Sequence, residues 1–124
     1  MTDLLLQRLG YWHGPYTPEW PDVRRFVDAE WDEDERAEVW SHLRAGFTAR
    51  AYLGRSDCRI CGEAVGSLEV SDGTYIWPEG LAHYVREHSV RLPVEFVEHV
   101  RSRRRELEEA SVIDEWWRTF TTET

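Results

Sequence analysis

Lysine and asparagine are both missing from this chain, and cysteine occurs only twice. Lysine and asparagine share A-rich codons, so their joint absence points to a GC-rich bacterial genome of the actinobacterial kind; it says nothing about mechanism. Every basic side chain is therefore an arginine. Two cysteines, spaced as Cys58-x-x-Cys61, are too few and too close for a secreted scaffold stapled by disulfides. No apolar run approaches the ~20 residues that span a bilayer. The opening MTDLLLQRLG lacks the basic n-region of a secretory signal. The expectation is a soluble, cytoplasmic protein. Internal repeats, low-complexity tracts, HExxH, GxSxG, phosphate-binding P-loop and dinucleotide fingerprints are also missing.

At 124 residues the length suits a single domain over 1–124, with a real but small core that a metal staple would help. A hydrophobic fraction of 41% beside 31% charged residues reads as globular. The net charge of -9 argues against a general nucleic-acid binder, because such affinity rests on neutralising phosphates. The charge is uneven. Asp28, Glu30, Asp32, Glu33, Asp34, Glu35 and Glu38 form an acidic stretch, and Arg101, Arg103, Arg104 and Arg105 a basic one. Each reads as a solvated helix face or as an electrostatic docking surface.

Patterning along the chain predicts the following elements. Thr2 or Asp3 caps a short helix through Leu9, ended by Gly10. Tyr11 to Pro21 is irregular, pinned by Tyr11, Trp12, Tyr16 and Trp20 between prolines. Asp32 with Glu35 fits a helix cap, and Ala37, Val39, Trp40 and Leu43 share one side of a helix from Glu33 to Ala45, with Gly46 as its stop. Phe47, Ala49, Ala51 and Leu53 alternate with polar neighbours, as in a half-buried strand. Asp72-Gly73 closes a tight hairpin between 67–71 and 74–77. Pro78 opens a helix that runs to about His88. Pro93 opens another, with Val94, Phe96 or Val97, Val100 and Leu107 as core candidates. It breaks and restarts near Ser111 and Asp114, and Trp116, Trp117 and Phe120 form an aromatic lid.

The pattern that carries chemistry is Cys58-x2-Cys61-x21-His83-x4-His88. Two residues between cysteines let a tight knuckle aim both sulfurs at one ion, and Gly62 lets the chain turn away. The hairpin fills the long gap, and the following helix presents two histidines at an interval normal for zinc fingers. At i,i+5 they stand about 140° apart on an ideal helix, so His88 belongs in a loosened last turn with Ser89 starting the exit. His99 is the substitute ligand. His13 and His42 read as surface or packing residues. The expectation is one structural Zn2+ per chain, held by Cys58, Cys61, His83 and His88. A redox Cys-x-x-Cys pair is less favoured, since glycine and a hairpin follow it in place of a helix. A catalytic zinc needs an open position; it becomes possible if His88 is no ligand and Glu79 or Glu87 serves as general base.

Gly54-x-Ser56-x-Cys58-Arg59-x-Cys61-Gly62, Asp72-Gly73-x-Tyr75-x-Trp77-Pro78-Glu79-Gly80-Leu81-Ala82-His83-Tyr84 and Leu92-Pro93 resemble a group of small uncharacterised bacterial zinc-binding proteins, over roughly residues 45–100. The order of knuckle, hairpin and helix is also similar to treble-clef and extended Cys2His2 fingers. The resemblance implies a zinc-binding domain and brings no activity with it. The acidic balance and the long gap depart from a DNA-reading finger. Within this stretch, Trp77 is expected to pack under the metal and Gly80 to allow a close approach; the rival reading is a groove lined by Trp77, Glu79 and Tyr84.

These readings combine into an α+β fold: a zinc knuckle with a short antiparallel sheet flanked by helices, a zinc-binding core at about 47–90 and a C-terminal helical segment at 93–120. The expected function is a non-enzymatic adaptor or regulator that binds another protein, with a homodimer as one form. Trp12, Trp20, Trp116 and Trp117 are its expected interaction surface, since exposed tryptophan favours interfaces. The rivals are a nucleic-acid-associated zinc finger, which needs a free arginine face, and a zinc-dependent hydrolase, which needs a deep pocket on the metal.

Overall fold

Two hairpins that share a strand organise the molecule. The computed structural model describes residues 3–122, apart from the side chains at 52, 53, 121 and 122. The elements run β1 (Gln7–Arg8), a 3-10 turn (Val23–Phe26), α1 (Glu33–Ala45), β2 (Phe47–Asp57), β3 (Ala64–Ser71), β4 (Tyr75–Pro78), α2 (Leu81–His88), α3 (Val94–Glu108) and α4 (Glu115–Thr122). The fold is α+β. The sheet order is β1-β4-β3-β2, with β3 antiparallel to both neighbours and β1 parallel to β4.

The Asp72-Gly73 turn forms for the expected reason. The Asp72 Oδ1 atom accepts from the backbone N–H of Thr74 and Tyr75 at 2.9 and 2.8 Å, and Gly73 takes φ +93°. The β2–β3 hairpin is less regular. Its register shifts between Ala51 and Ser56, and Gly66 in β3 has φ +119°. The Glu79 side chain lies against Gly66, where a Cβ would stand, and its carboxylate accepts from Ser67 N and Leu68 N at 2.7 and 3.1 Å. Glu79 is thus a clamp on β3, occupied by backbone donors and not free as a general base.

The core joins Trp77, Phe96, Leu81, Val39, Val85, Val90 and Val23. On α1, Asp32 accepts from Glu35 N at 2.9 Å as the cap pattern predicts. Val39 and Leu43 are buried, Trp40 is half-buried, and Ala37 is exposed. Trp31, just before the cap, is buried and donates its indole N–H to Glu35. Gly46 does end α1, but with φ -65° it is no left-handed cap. A Cβ there would meet Val70 Cγ1 at 2.6 Å and Trp77 Cζ2 at 2.9 Å, so glycine serves close packing of α1 on the sheet.

Several expected boundaries shift. Residues 3–9 are not helical; Gln7 N and Leu9 N donate to Thr74 O and Ile76 O at 3.0 and 2.9 Å, extending the sheet. Leu4 and Leu5 are exposed, so a helix there would have had no apolar face to bury. Thr2 lies outside the described residues. Pro78 ends β4 rather than opening α2, because Glu79 N still reaches Leu68 O across the hairpin at 2.9 Å. The β2 strand is present at an edge of the sheet, but Phe47 to Ala51 are exposed on both faces.

Helix α3 buries Phe96, Val97 and Val100, whereas Val94 and Leu107 are exposed. From Arg101 to Phe120 every residue is exposed. The second half of α3 and all of α4 therefore form an arm beyond the core. Trp116 and Trp117 each stack on Phe120 in α4, and all three remain exposed among the described residues, so the expected lid is not one. The charged stretches meet at Arg101, which pairs with Glu38 and Glu35 at 3.3 and 3.4 Å; Arg91, outside the basic stretch, pairs with Asp28 at 3.0 Å.

Candidate metal centre

Cys58 and Cys61 occupy the tip of the β2–β3 hairpin. The turn is closed by Cys58 N to Glu63 O at 2.7 Å and Gly62 N to Cys58 O at 2.9 Å, with Gly62 at φ +78°. A glycine is needed there because side-chain-bearing residues are strained at positive φ. Ile60 N donates to Cys58 Sγ at 3.4 Å, which fixes the position of the sulfur in the turn. Cys58 is buried and Cys61 is exposed.

Helix α2 brings the two imidazoles over this tip. His83 lies in its first turn, with Nε2 at 3.4 Å from Cys61 Sγ. His83 Nδ1 faces the Glu63 carboxylate at 3.9 Å, the side on which a ligating histidine usually finds an outer carboxylate. His88 is the last residue of α2. Ser89 follows in the left-handed region at φ 49°, with its N–H bonded to Tyr84 O. The helix thus ends where the i,i+5 spacing requires it, and the two rings lie 5.1 Å apart.

One donor atom from each of Cys58, Cys61, His83 and His88 lies within 4.8 Å of all the others. Four ligands on a tetrahedral zinc would stand roughly 3.3–3.8 Å apart, from bond lengths of about 2.0–2.3 Å. Small rotations close the set on an ion. One atom tests the fit: His88 Nε2 is buried without a hydrogen-bond partner. A buried ring nitrogen left alone costs on the order of 1–3 kcal/mol, and a metal bond would satisfy the ring. The cluster can hold a metal ion.

Its electrostatics suit a cation. The Glu63 backbone N–H favours the Cys61 thiolate, but burial, the Cys58 sulfur and the Glu63 carboxylate outweigh it and hold the thiol above its ordinary pKa. A bound dication would reverse that balance. Beneath the cluster Tyr84, not Trp77, supplies the aromatic floor. Its hydroxyl accepts from Arg59 N at 2.7 Å, and burial, with the Cys58 sulfur adding to it, pushes its pKa up to about 12. Trp77 lies near His42 and Phe96 instead, with ring centroids 6.0 and 6.1 Å away. Gly80 does allow the expected close approach: a Cβ would meet Val65 Cγ2 at 2.6 Å.

The rival chemistries fit less well. A thioredoxin-like pair sits at a helix N-terminus, whereas these cysteines sit at a hairpin tip. Four donors leave no open position for a catalytic ion. A groove of about 660 Å³ beside α2 reaches His83, Glu79 and Glu87 but not Cys58, Cys61 or His88. Glu87 is exposed and 3.8 Å from Arg86.

Two expected residues go elsewhere. His99 does not substitute for His88; its Nε2 lies 2.8 Å from Asp72 Oδ2, at the other hairpin. His42 meets the same oxygen at 2.8 Å, so it is more than a packing residue. Sequence spacing offered no signal for this trio, drawn from α1, the β3–β4 turn and α3. Of the four tryptophans, Trp12 is core, with its ring 5.3 Å from Phe26 and 5.9 Å from Tyr84. Trp20 is half-buried near Tyr11, and only Trp116 and Trp117 are exposed. No helix among the described residues is long and apolar enough to cross a membrane. No protein family, curated protein or solved structure matches the chain.

Proposed function

We propose that this chain is a zinc-stabilised, non-enzymatic protein-interaction module. Two thiols and two imidazoles are the donor set of structural zinc, which is soft enough for sulfur and takes tetrahedral geometry. One Zn2+ per chain would fasten the β2–β3 tip to α2. The knuckle, hairpin and helix in that order support the likeness to treble-clef and Cys2His2 fingers. The reading implies a reducing, cytoplasmic setting, because both thiols must stay reduced to bind.

The observation that carries the interaction role is the C-terminal arm. Leu107, Val112, Ile113, Trp116, Trp117 and Phe120 are all exposed on it, from 58% to 88%. Exposed apolar side chains clustered in this way mark interaction surfaces, and tryptophan dominates binding hot spots. The nucleic-acid reading is weaker. Arg103 and Arg104 are tied to Glu106 and Glu108 at 2.9 and 3.1 Å, and Arg101 to Glu35 and Glu38, so phosphates would compete with carboxylates already in place.

Crosslinked affinity capture from the source cell, comparing the full chain with a Trp116→Ala, Trp117→Ala, Phe120→Ala variant, tests the role. The triple variant should lose a protein that the parent retains, or should lose self-association measured by light scattering. An identical captured set and an identical mass would overturn the reading. Elemental analysis should find about one zinc per chain, and a metal-free, fully folded protein would overturn the zinc assignment.

A further inference from the structure

His42, Asp72 and His99 make a second centre at the opposite hairpin tip from the cysteines. His42 comes from α1, Asp72 from the turn after β3, and His99 from α3. Both Nε2 atoms lie 2.8 Å from the same Asp72 oxygen, Oδ2. One donor atom from each of the three residues lies within 4.8 Å of the other two. The carboxylate is held in place from behind, because Oδ1 accepts from Thr74 N and Tyr75 N. The rings are held as well. His42 lies against Phe96 with centroids at 5.8 Å, and His99 against Tyr75 at 4.9 Å. Backbone hydrogen bonds to Asp72 and ring packing on both histidines thus hold all three donors in place.

Charge points the same way. Asp72 is largely buried, and among the described residues its charged partners are the two imidazoles and no arginine. A carboxylate removed from water needs hydrogen bonds and is further stabilised by a nearby cation; the turn N–H groups supply the first, and a metal ion held by the two imidazoles would supply the second. A cavity of about 500 Å³ reaches two of the three residues: His42 and Asp72 line it together with Arg103 and Arg104, and His99 does not.

We propose that His42, Asp72 and His99 bind a second divalent transition-metal ion, in a site with three protein ligands and one side open to water. Two imidazoles and one carboxylate suit Zn2+ and Fe2+. In the bound form each Nε2 lone pair and Asp72 Oδ2 face the ion, and each imidazole carries its proton on Nδ1. Bond lengths near 2.0–2.2 Å require donors about 3.3 Å apart, roughly half an ångström wider than the hydrogen-bonded trio. This site lacks a thiolate and a fourth protein ligand, so it is weaker and more exchangeable than the Cys58–Cys61 centre.

Calorimetric titration of chelator-treated, reduced protein with Zn2+ tests it, with Co2+ as the reporter of ligand type. Wild type should take two equivalents, and Co2+ in the weaker site should lack the near-ultraviolet thiolate band of the tighter one. His42→Gln and His99→Gln keep an N–H donor for Asp72 but lose the ligand. Each should lower the weaker affinity by more than about 100-fold, beyond the 10–100-fold that outer partners cost, and leave the thiolate band unchanged. In wild type, long-range imidazole NMR should show the His42 and His99 nitrogens shifting with the second equivalent, which needs no variant to fold. A single equivalent with a thiolate band overturns the proposal and leaves the cysteine centre standing. Two equivalents that survive in both variants, or histidine nitrogens that stay in place, overturn it too. Loss of the thiolate band alone would instead sink the cysteine centre.

Discussion

The two ends of β3 carry two histidine clusters built in opposite ways. At one end, Cys58, Cys61, His83 and His88 come from a hairpin tip and one helix. At the other, His42, Asp72 and His99 come from two helices and a turn. The first is assembled from short-range spacings: the knuckle sets both sulfurs, and the length of α2 sets both imidazoles. The second exists only once α1 and α3 have packed on the sheet. One centre can organise its surroundings; the other depends on surroundings already organised.

That contrast can be broken most sharply at the first end. Cys58→Ser, or removal of metal by a chelator, should cost more than about 4 kcal/mol, because structural zinc contributes directly to folding. Urea denaturation of loaded and stripped protein measures it, and equal midpoints would count against a structural ion. Next in size is Asp72→Ala. It strips two backbone N–H groups and two imidazoles of their acceptor, and breaking a buried polar network of this kind costs roughly 3 kcal/mol. Its unfolding should be two-state with the cysteine centre still loaded, in contrast to Cys58→Ser. Gly46→Ala should cost about 1–3 kcal/mol by overpacking. Its Cβ would press on Val70 and Trp77, between the two ends, and should leave metal content at one per chain at the cysteine centre.

Glu69, in the middle of β3, gives a smaller effect with a defined pH direction. Burial would raise its carboxyl pKa, but the Tyr11 hydroxyl, Arg50 at 2.8 Å and Arg8 outweigh it and hold the pKa below the ordinary 4.5. A depressed folded-state pKa contributes stability that is present above about 4.5 and lost as pH falls through the lower folded value. Wild type should therefore melt above Glu69→Gln at pH 7, and the gap should close in acid. A gap independent of pH would contradict the assignment. Smallest of all, Trp116→Ala should change stability by less than about 0.5 kcal/mol, since Trp116 is exposed; a larger loss on chemical denaturation would mean that the arm belongs to the fold.

The elements readable in advance were those dictated by local chemistry. The Asp32 cap, the Asp72-Gly73 turn, the Gly62 turn and the exit of α2 at Ser89 each follow from one or two residues, and each is present. What misled was burial. Ala37, Val94 and Leu107 fit the helical period yet face solvent, because the period names a face and not the partner that covers it. Phe47 and Ala51 alternate correctly on a strand whose position at the sheet edge depends on long-range pairing. His42 and His99 fall under the same limit: they stand 57 positions apart in the chain, and their meeting at Asp72 is a property of packing. Four donors in short-range pairs left a signature; three donors from distant elements left none.

The shared strand has a consequence for what lengths of chain this architecture can accept. Gly66 is clamped by Glu79, and beyond it Glu69 to Ser71 pair with β4 in unbroken register to the Asp72 turn, while β2 bulges opposite them between Thr48 and Arg50. An extra residue inserted between Gly66 and Ser71 flips the pleat. Unless a further bulge absorbs it, it would turn either Asp72 away from its histidines or the cysteine tip away from α2. The connection at 110–114, exposed throughout, carries no such constraint. Insertions and deletions should therefore be forbidden within β3 and freely accumulated just before α4, so that the reach of the arm can vary while the body keeps its length to the residue.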